Sequence, residues 1–229
     1  MNNARDSILA RVGAGLAGRN DLSTQSHEAL EKRLSSPPAT PRPTLSESDL
    51  IRRFVTKMEA VAGEVMPVSG MEAVPWAVLD YLDRHELPHD LVATGEPVLN
   101  KIPWSNLGSK QVTLHHRVAM DADRVSLTGA FAAIAETGTL VLVSGEQTPT
   151  TLNFLPEHHL VILPQNRMVP YLEDAWQEIR RVFGPLPRAI NLITGPSRTA
   201  DIEQTMQLGA HGPRRLGIIL VEQAPMPEG

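Results

Sequence analysis

The chain has no cysteine among its 229 residues. Disulfides, thiol nucleophiles and iron–sulfur ligation by this chain are therefore excluded. Aromatic residues are scarce, at 4%, too few for a surface that stacks nucleic-acid bases. A strong charge of one sign is also missing: the formal net charge is −5, and no nucleic-acid partner is expected from bulk electrostatics. No run approaches the ~18 consecutive apolar residues of a membrane span. The opening stretch "MNNARDSILARVGAGLAG" lacks the long apolar core of a signal peptide. These absences lead to the expectation of a soluble, cytoplasmic protein without membrane insertion.

Hydrophobic residues make up 41% and charged residues 21%, ordinary for a globular chain with a sizeable core. Ile8, Leu9, Val12 and Leu16 have helical spacing and predict a short helix over 4–17. The segment "LSSPPATPRPTLSES", 34–48, follows with four prolines and reads as an extended arm or linker. The expected division is 1–47, an N-terminal helix and proline-rich arm, and 48–229, an α/β domain. "DLIRRFVTKMEAVAG" and "MEAVPWAVLDYLDRHELP" are amphipathic helices, the first ended by Gly63 and the second beginning near Pro75. "EVMPVS", "HDLVATG", "VTLHHRVAM", "RVSLTG", "GTLVLVSG", "HLVILP", "AINLITG" and "LGIILVE" read as strands. Several are continuously apolar, as in strands covered on both faces. With the helix "YLEDAWQEIRRVFG" between two of them, the pattern predicts an α/β fold. Its sheet is largely parallel, with helices on both faces.

Such sheets gather ligands beyond the carboxyl ends of their strands. Three stretches have that character. In "NLITGPSRTADIEQTMQLGAHGP" a strand ends at Thr194 and the chain turns at Gly195. Ser197, Arg198 and Thr199 then offer donors for an anion beside a helix start. Asp201 and Gln204 have capping-box spacing, Glu203 sits in the first turn, and His211 lies in a tight turn. In "SLTGAFAAIAETGTLVL" the pairs Thr128-Gly129 and Thr137-Gly138 surround Glu136, an acidic residue at the start of an apolar run. It is either a solvated turn residue or a carboxylate facing a cleft. The third, "TTLNFLPEHHLVIL", joins His115-His116 in suggesting a metal. Adjacent histidines on a strand point to opposite faces, however, so no metal site is expected.

Taken together, "LTGAFAAIAETGTLVL", "LPEHHLVIL" and "ITGPSRTADIEQTMQLGAHGPRRLGIILV" closely resemble the lactate utilization protein C family, built on the LUD domain. The resemblance covers roughly residues 48–222. It implies a fold similar to the sugar-phosphate isomerase and CoA-transferase superfamily. It also implies a subunit that takes part in oxidising L-lactate to pyruvate with two iron–sulfur companion proteins. This chain would then hold no cofactor and would bind a small carboxylate or a partner surface. On that reading Glu136 faces a ligand cleft, lined by Thr128, Thr137 and Gly138. Thr194, Gly195, Ser197, Arg198, Thr199, Asp201, Glu203 and His211 supply its opposite wall. The alternative is a stand-alone isomerase or CoA-transferase-like enzyme acting on a small anion, with Glu136 as base or nucleophile. A further alternative is an interaction module without chemistry, so whether the chain is an enzyme stays open at this level.

The absence of cysteine and of a GxGxxG loop after any strand carries a direct expectation. The natively purified chain should contain no stoichiometric iron or flavin and show no visible absorption. Metal analysis and an absorption spectrum check this, and a bound chromophore would refute it.

Overall fold

The protein is described by a computed structural model that covers residues 3–17, 24–35, 41–199, 207–208 and 211–222. The chain divides into two units, Met1–Thr44 and Leu45–Gly229. The first unit contains helices α1 (Asn3–Ala17) and α2 (Thr24–Ser35). Helix α1 matches the periodicity read at its apolar residues, and Ile8, Leu9 and Val12 are exposed. Helix α2 was not expected: Ala29, Leu30 and Leu34 are the only apolar residues in "TQSHEALEKRLS". Its helix-favouring Glu, Ala, Leu, Lys and Arg carry it instead. Within the proline-rich stretch, residues 41–46 have no regular structure.

The second unit begins with α3 (Leu50–Ala60), β1 (Glu64–Val68), α4 (Val74–Arg84), β2 (Asp90–Ala93) and β3 (Thr113–His116). It continues with β4 (Val125–Gly129), β5 (Ala132–Ile134), β6 (Thr139–Val143), α5 (Thr151–Phe154) and β7 (His158–Pro164). Then come β8 (Met168–Val169), α6 (Leu172–Phe183), β9 (Ile190–Ile193), β10 (Arg198–Thr199), β11 (Gln207–Leu208) and β12 (Arg215–Val221). Six strands form one sheet in the order β1-β12-β7-β4-β2-β3, and every neighbouring pair in it is parallel.

Strands β7 and β12 lie inside this sheet, and their side chains alternate between two cores because successive Cβ atoms point to opposite faces. Leu160, Ile162, Ile219 and Val221 meet Val74, Val78, Tyr81 and Leu82 of α4 on one face. Val161, Leu163, Ile218 and Leu220 meet Phe54 and Met58 of α3 on the other, together with Leu140 and Leu142. Burying Phe54 and Met58 contributes about 1.5–3 kcal/mol each. Gly217 is required where α4 presses closest, because a Cβ there would stand 2.6 Å from Leu160 Cδ2 and 3.2 Å from the Tyr81 ring. Helices thus cover both faces of a parallel sheet, as the sequence pattern implied.

A second sheet, β8-β5-β6-β9, was not foreseen. Its pairs β5–β6 and β6–β9 are antiparallel, and β5–β8 is parallel. Ala133, Leu140 and Leu142 face the large sheet, while Ala132, Ile134 and Val141 pack on Ala175 and Ile179 of α6. "GTLVLVSG" and "AINLITG" therefore belong to this sheet rather than to the parallel one, and α6 covers its outer face. Periodicity could not tell them apart, since a strand covered by a sheet and a helix is as apolar as one covered by two helices. The left-handed residue after α3 is Ala62, with φ 67°, not Gly63. Gly63 is needed for a different reason: a Cβ would lie 2.5 Å from Met58 Sδ.

His158 and His159 open β7 and point to opposite faces. His158 Nδ1 lies 3.0 Å from the Tyr81 hydroxyl, and His159 Nε2 lies 2.8 Å from Thr128 Oγ1. Among the described residues no group of three or more His, Asp or Glu could hold a metal. No described helix is long and apolar enough to cross a membrane.

Burial pushes His159 down to about 3. Burial also lowers His158, to about 4, with Glu157 opposing and His85 assisting the drop. Both rings fold in the neutral form, so their contribution is present above the ordinary histidine value near 6.5. It is lost as pH falls toward the two folded values, because unfolding then takes up protons. Denaturant midpoints should fall from about pH 6.5 downward, each proton adding up to about 1.4 kcal/mol per pH unit to the slope. His159→Asn should reduce that slope, and an unchanged slope would refute the assignment.

Candidate functional site

The order of the large sheet locates its ligand crevice. From β2 the chain moves outward to β3 at the edge, whereas from β4 it moves the other way to β7. Neighbouring strands whose exits diverge leave an opening at their carboxyl ends. Here that opening lies between Ala93 and Gly129. Thr94, Gly95 and Glu96 continue β2, with the Thr94 N–H donating to Leu127 O at 3.1 Å and Gly95 N–H to Gln147 O at 3.0 Å.

Glu96 turns its carboxylate back into the opening. Oε2 accepts from the Thr94 hydroxyl at 2.6 Å and from the Gly129 N–H at 2.6 Å. Only glycine permits the second contact, since a Cβ on residue 129 would stand 3.0 Å from that oxygen and 2.6 Å from Val98 Cγ1. Burial raises the Glu96 pKa above the ordinary carboxylate value, and the bonds from Thr94 and Gly129 offset part of the rise. Around it is a cleft of about 600 Å3 whose walls include Lys101, Ala130, Ser144, Asn166 and Arg167. Lys101 and Arg167 are exposed and are in no ion pair among the described residues. A partly desolvated carboxylate in a cleft that Lys101, Arg167 and Glu146 also line can hold or move a proton on a bound anion.

Glu96 is not marked by the sequence pattern: "HDLVATG" reads as a strand that ends at Gly95, one residue before it. The available signal was Thr94-Gly95 closing an apolar strand, the same feature noticed at Thr128-Gly129.

The residues singled out from the sequence fall elsewhere. Thr194, Gly195, Ser197, Arg198 and His211 do come together, lining a second cleft of about 300 Å3 with Asn153, His159 and Leu216. His159 and Leu216 lie at the amino ends of β7 and β12, so this cleft is not at the carboxyl end of the parallel sheet. The strand-end rule misplaced it because β9 belongs to the smaller sheet. The loop is held by the Ser197 N–H donating to Pro213 O at 2.8 Å. Gly195, at φ +91°, seats its backbone on Val61, where a Cβ would meet Cγ2 at 2.7 Å.

Glu136 occupies the turn between β5 and β6, is half-buried, and donates its N–H to Pro170 O at 3.0 Å. It lines neither cleft. Gly138, with φ +69°, brings that turn against Lys57 of α3, 2.5 Å from where its Cβ would be. Thr137 is tied to Thr194 through Thr139, by hydroxyl contacts of 2.7 Å and 2.7 Å. Thr128 is buried, and its hydroxyl meets His159. Arg198 and Thr199 pair with Leu208 and Gln207 as antiparallel strands, where a helix start was expected. Asp201, Glu203 and the capping box with Gln204 lie outside the described residues.

The LUD domain model matches residues 51–221. The chain belongs to the LUD domain family. Among curated relatives, lactate utilization protein C of Shouchella clausii is 33% identical over 121 residues, which is 52% of this chain and 51% of that protein. The Halalkalibacterium halodurans protein of the same name is 38% identical over 101 residues, 43% of this chain and 44% of its own length. An uncharacterized protein of Neisseria meningitidis is 39% identical over 94 residues, covering 41% and 40% of the two chains. The chain thus spans about half the length, or less, of these curated relatives. A solved DUF162 family protein from Deinococcus radiodurans superposes with TM-score 0.56 at 23% identity, over 78% of this chain and 99% of that one. That likeness shows the fold.

The site of this LUD domain has a stability signature. A raised carboxyl pKa means the fold prefers Glu96 protonated, and this preference stabilises fully below the ordinary carboxylate value. It is lost as pH rises through the folded value. Glu96→Gln keeps an oxygen for Thr94 and Gly129 and removes the charge, so it should melt at or above the parent near neutral pH. The difference should shrink as pH falls. Melting below the parent at neutral pH would contradict the desolvation argument.

Proposed function

We propose that this chain is a subunit of an L-lactate utilization system that oxidises L-lactate to pyruvate, and that it binds a small carboxylate in the cleft around Glu96. The observation that carries this reading is the half-buried Glu96 carboxylate, its pKa raised by burial, in a cleft that Lys101 and Arg167 also line. The role in lactate use is supported by the relatives named lactate utilization protein C. A carboxylate ligand would be held by the two cations. Glu96 would then sit where it can accept or return the proton of a neighbouring hydroxyl, the acid–base work that oxidation of a 2-hydroxy acid requires. Two companion proteins carrying iron–sulfur clusters would take the two electrons, with the hydrogen of the carbinol carbon leaving as a proton to solvent, since a chain without cysteine offers no thiolates for such clusters.

A second reading keeps the same residue as a nucleophile of CoA-transferase type. It is favoured by one detail: both hydrogen bonds fall on Oε2, which leaves Oε1 for the cleft. In either reading the reactive carboxylate is Glu96 rather than Glu136, because Glu96 lines the first cleft and Glu136 lines neither of the two.

The test is growth on L-lactate of a deletion strain complemented with Glu96→Gln or Glu136→Gln, at matched levels of soluble protein. Loss of one acid–base group lowers turnover by about 10²–10⁴-fold, so Glu96→Gln should abolish growth and Glu136→Gln should support it. The reverse result would return the role to Glu136 and overturn the assignment.

A further inference from the structure

The second cleft carries features that a structural seam does not need. Its floor includes His159, which has no exposed surface. With Nε2 engaged by Thr128, Nδ1 is buried and has no hydrogen-bond partner among the described residues. A buried polar nitrogen left without a partner is costly, because it has lost its hydration with nothing in exchange. A ligand reaching it would remove that cost. The cleft is lined by Arg198, His211 and Ser197 as well, and by no carboxylate among the described residues. The lining also includes Leu216, the strand neighbour of His159, and Phe154 and Leu192, of which Phe154 and Leu192 are exposed at 44% and 45%. The lining therefore offers donors for an anion together with apolar surface for a short hydrocarbon body.

We propose that this cleft, between α5, the end of β9 and the amino ends of β7 and β12, is a second ligand site, specific for a small organic carboxylate. Arg198 and Ser197 hold the carboxylate, the apolar surface holds the carbon chain, and His159 Nδ1 is the buried polar contact. Inorganic phosphate fits less well, because it would face the apolar surface and find one guanidinium. A volume of about 300 Å3 admits an acid of a few carbons. The Thr128 hydroxyl can donate to His159 Nε2 or accept from it. The first arrangement leaves an Nδ1–H donor for a carboxylate oxygen, and the second leaves an acceptor for a 2-hydroxyl. His159 stays neutral in either case, its pKa being held near about 3 by burial. The site shares neither Glu96 nor the cations of the first cleft, so it goes beyond the function proposed above and stands or falls separately.

The experiment uses the full chain with 15N-labelled histidine, titrated with sodium L-lactate, propionate and inorganic phosphate at constant ionic strength. Parent, Arg198→Ala and Glu96→Gln proteins are compared. Arg198 is exposed, so its removal leaves the core intact. L-lactate and propionate should shift the His159 ring nitrogens saturably in the parent and in Glu96→Gln. Apparent affinity should fall at least about tenfold in Arg198→Ala, as expected for loss of a charge-assisted contact. A response to phosphate alone, silent His159 resonances, or undiminished affinity in Arg198→Ala would each overturn the proposal. Binding abolished by Glu96→Gln would overturn it as well, by assigning the carboxylate to the first cleft.

Discussion

Strands β7 and β12 must be covered on both faces, and most of the architecture follows from meeting that demand. Leu160 and Ile162 need one cover while Val161 and Leu163 need another, because a parallel strand presents apolar side chains in both directions. Helix α4 supplies the first cover. The second is shared between α3 and a small sheet, which in turn needs α6 on its own outer face. With the faces occupied, the ends of the strands are the places left for chemistry. Both clefts are found there, at opposite ends of the same parallel sheet.

At the carboxyl end, a carboxylate is drawn inside by backbone geometry. Gly129 contributes the absence of a side chain and a free N–H, and Thr94 contributes a hydroxyl. The two bonds are not enough to cancel desolvation, so Glu96 retains its proton more readily than a surface glutamate. A group poised in this way costs folding free energy at neutral pH, and such costs tend to gather at functional sites.

At the amino end, glycines again set the geometry, with a different result. Gly195 and Gly138 let two turns settle on α3, and the Thr137–Thr139–Thr194 hydroxyls join them. Between the clefts lies a void of about 10 Å3 lined by Glu96, Thr128 and Asn153 among others, about the size of one probe sphere of water. Thr128 touches this void and also bonds His159. The two ends of the sheet are thus linked by polar groups through an otherwise apolar interior.

The sequence by itself determined the class of the fold and the residues that build it. Heptad-like spacing of Leu50, Phe54 and Met58 marked α3, and apolar runs ending in Thr-Gly marked strands of both sheets. The family was also legible, because the motifs around Glu136 and from Thr194 to His211 are local in the chain. Sheet membership was decided only in three dimensions. Leu140–Leu142 and Leu160–Ile162 are equally apolar, and whether a strand's partner is parallel or antiparallel depends on chain segments far away in sequence. The site followed from that choice: Glu96 became a buried acid because β2 and β4 are neighbours, bringing Gly129 to a carboxylate 33 positions away. Glu136 stayed at a turn because its strand pairs as a hairpin. Spacing can report which residue types are available, whereas burial and charge arise from contacts that only the folded chain makes.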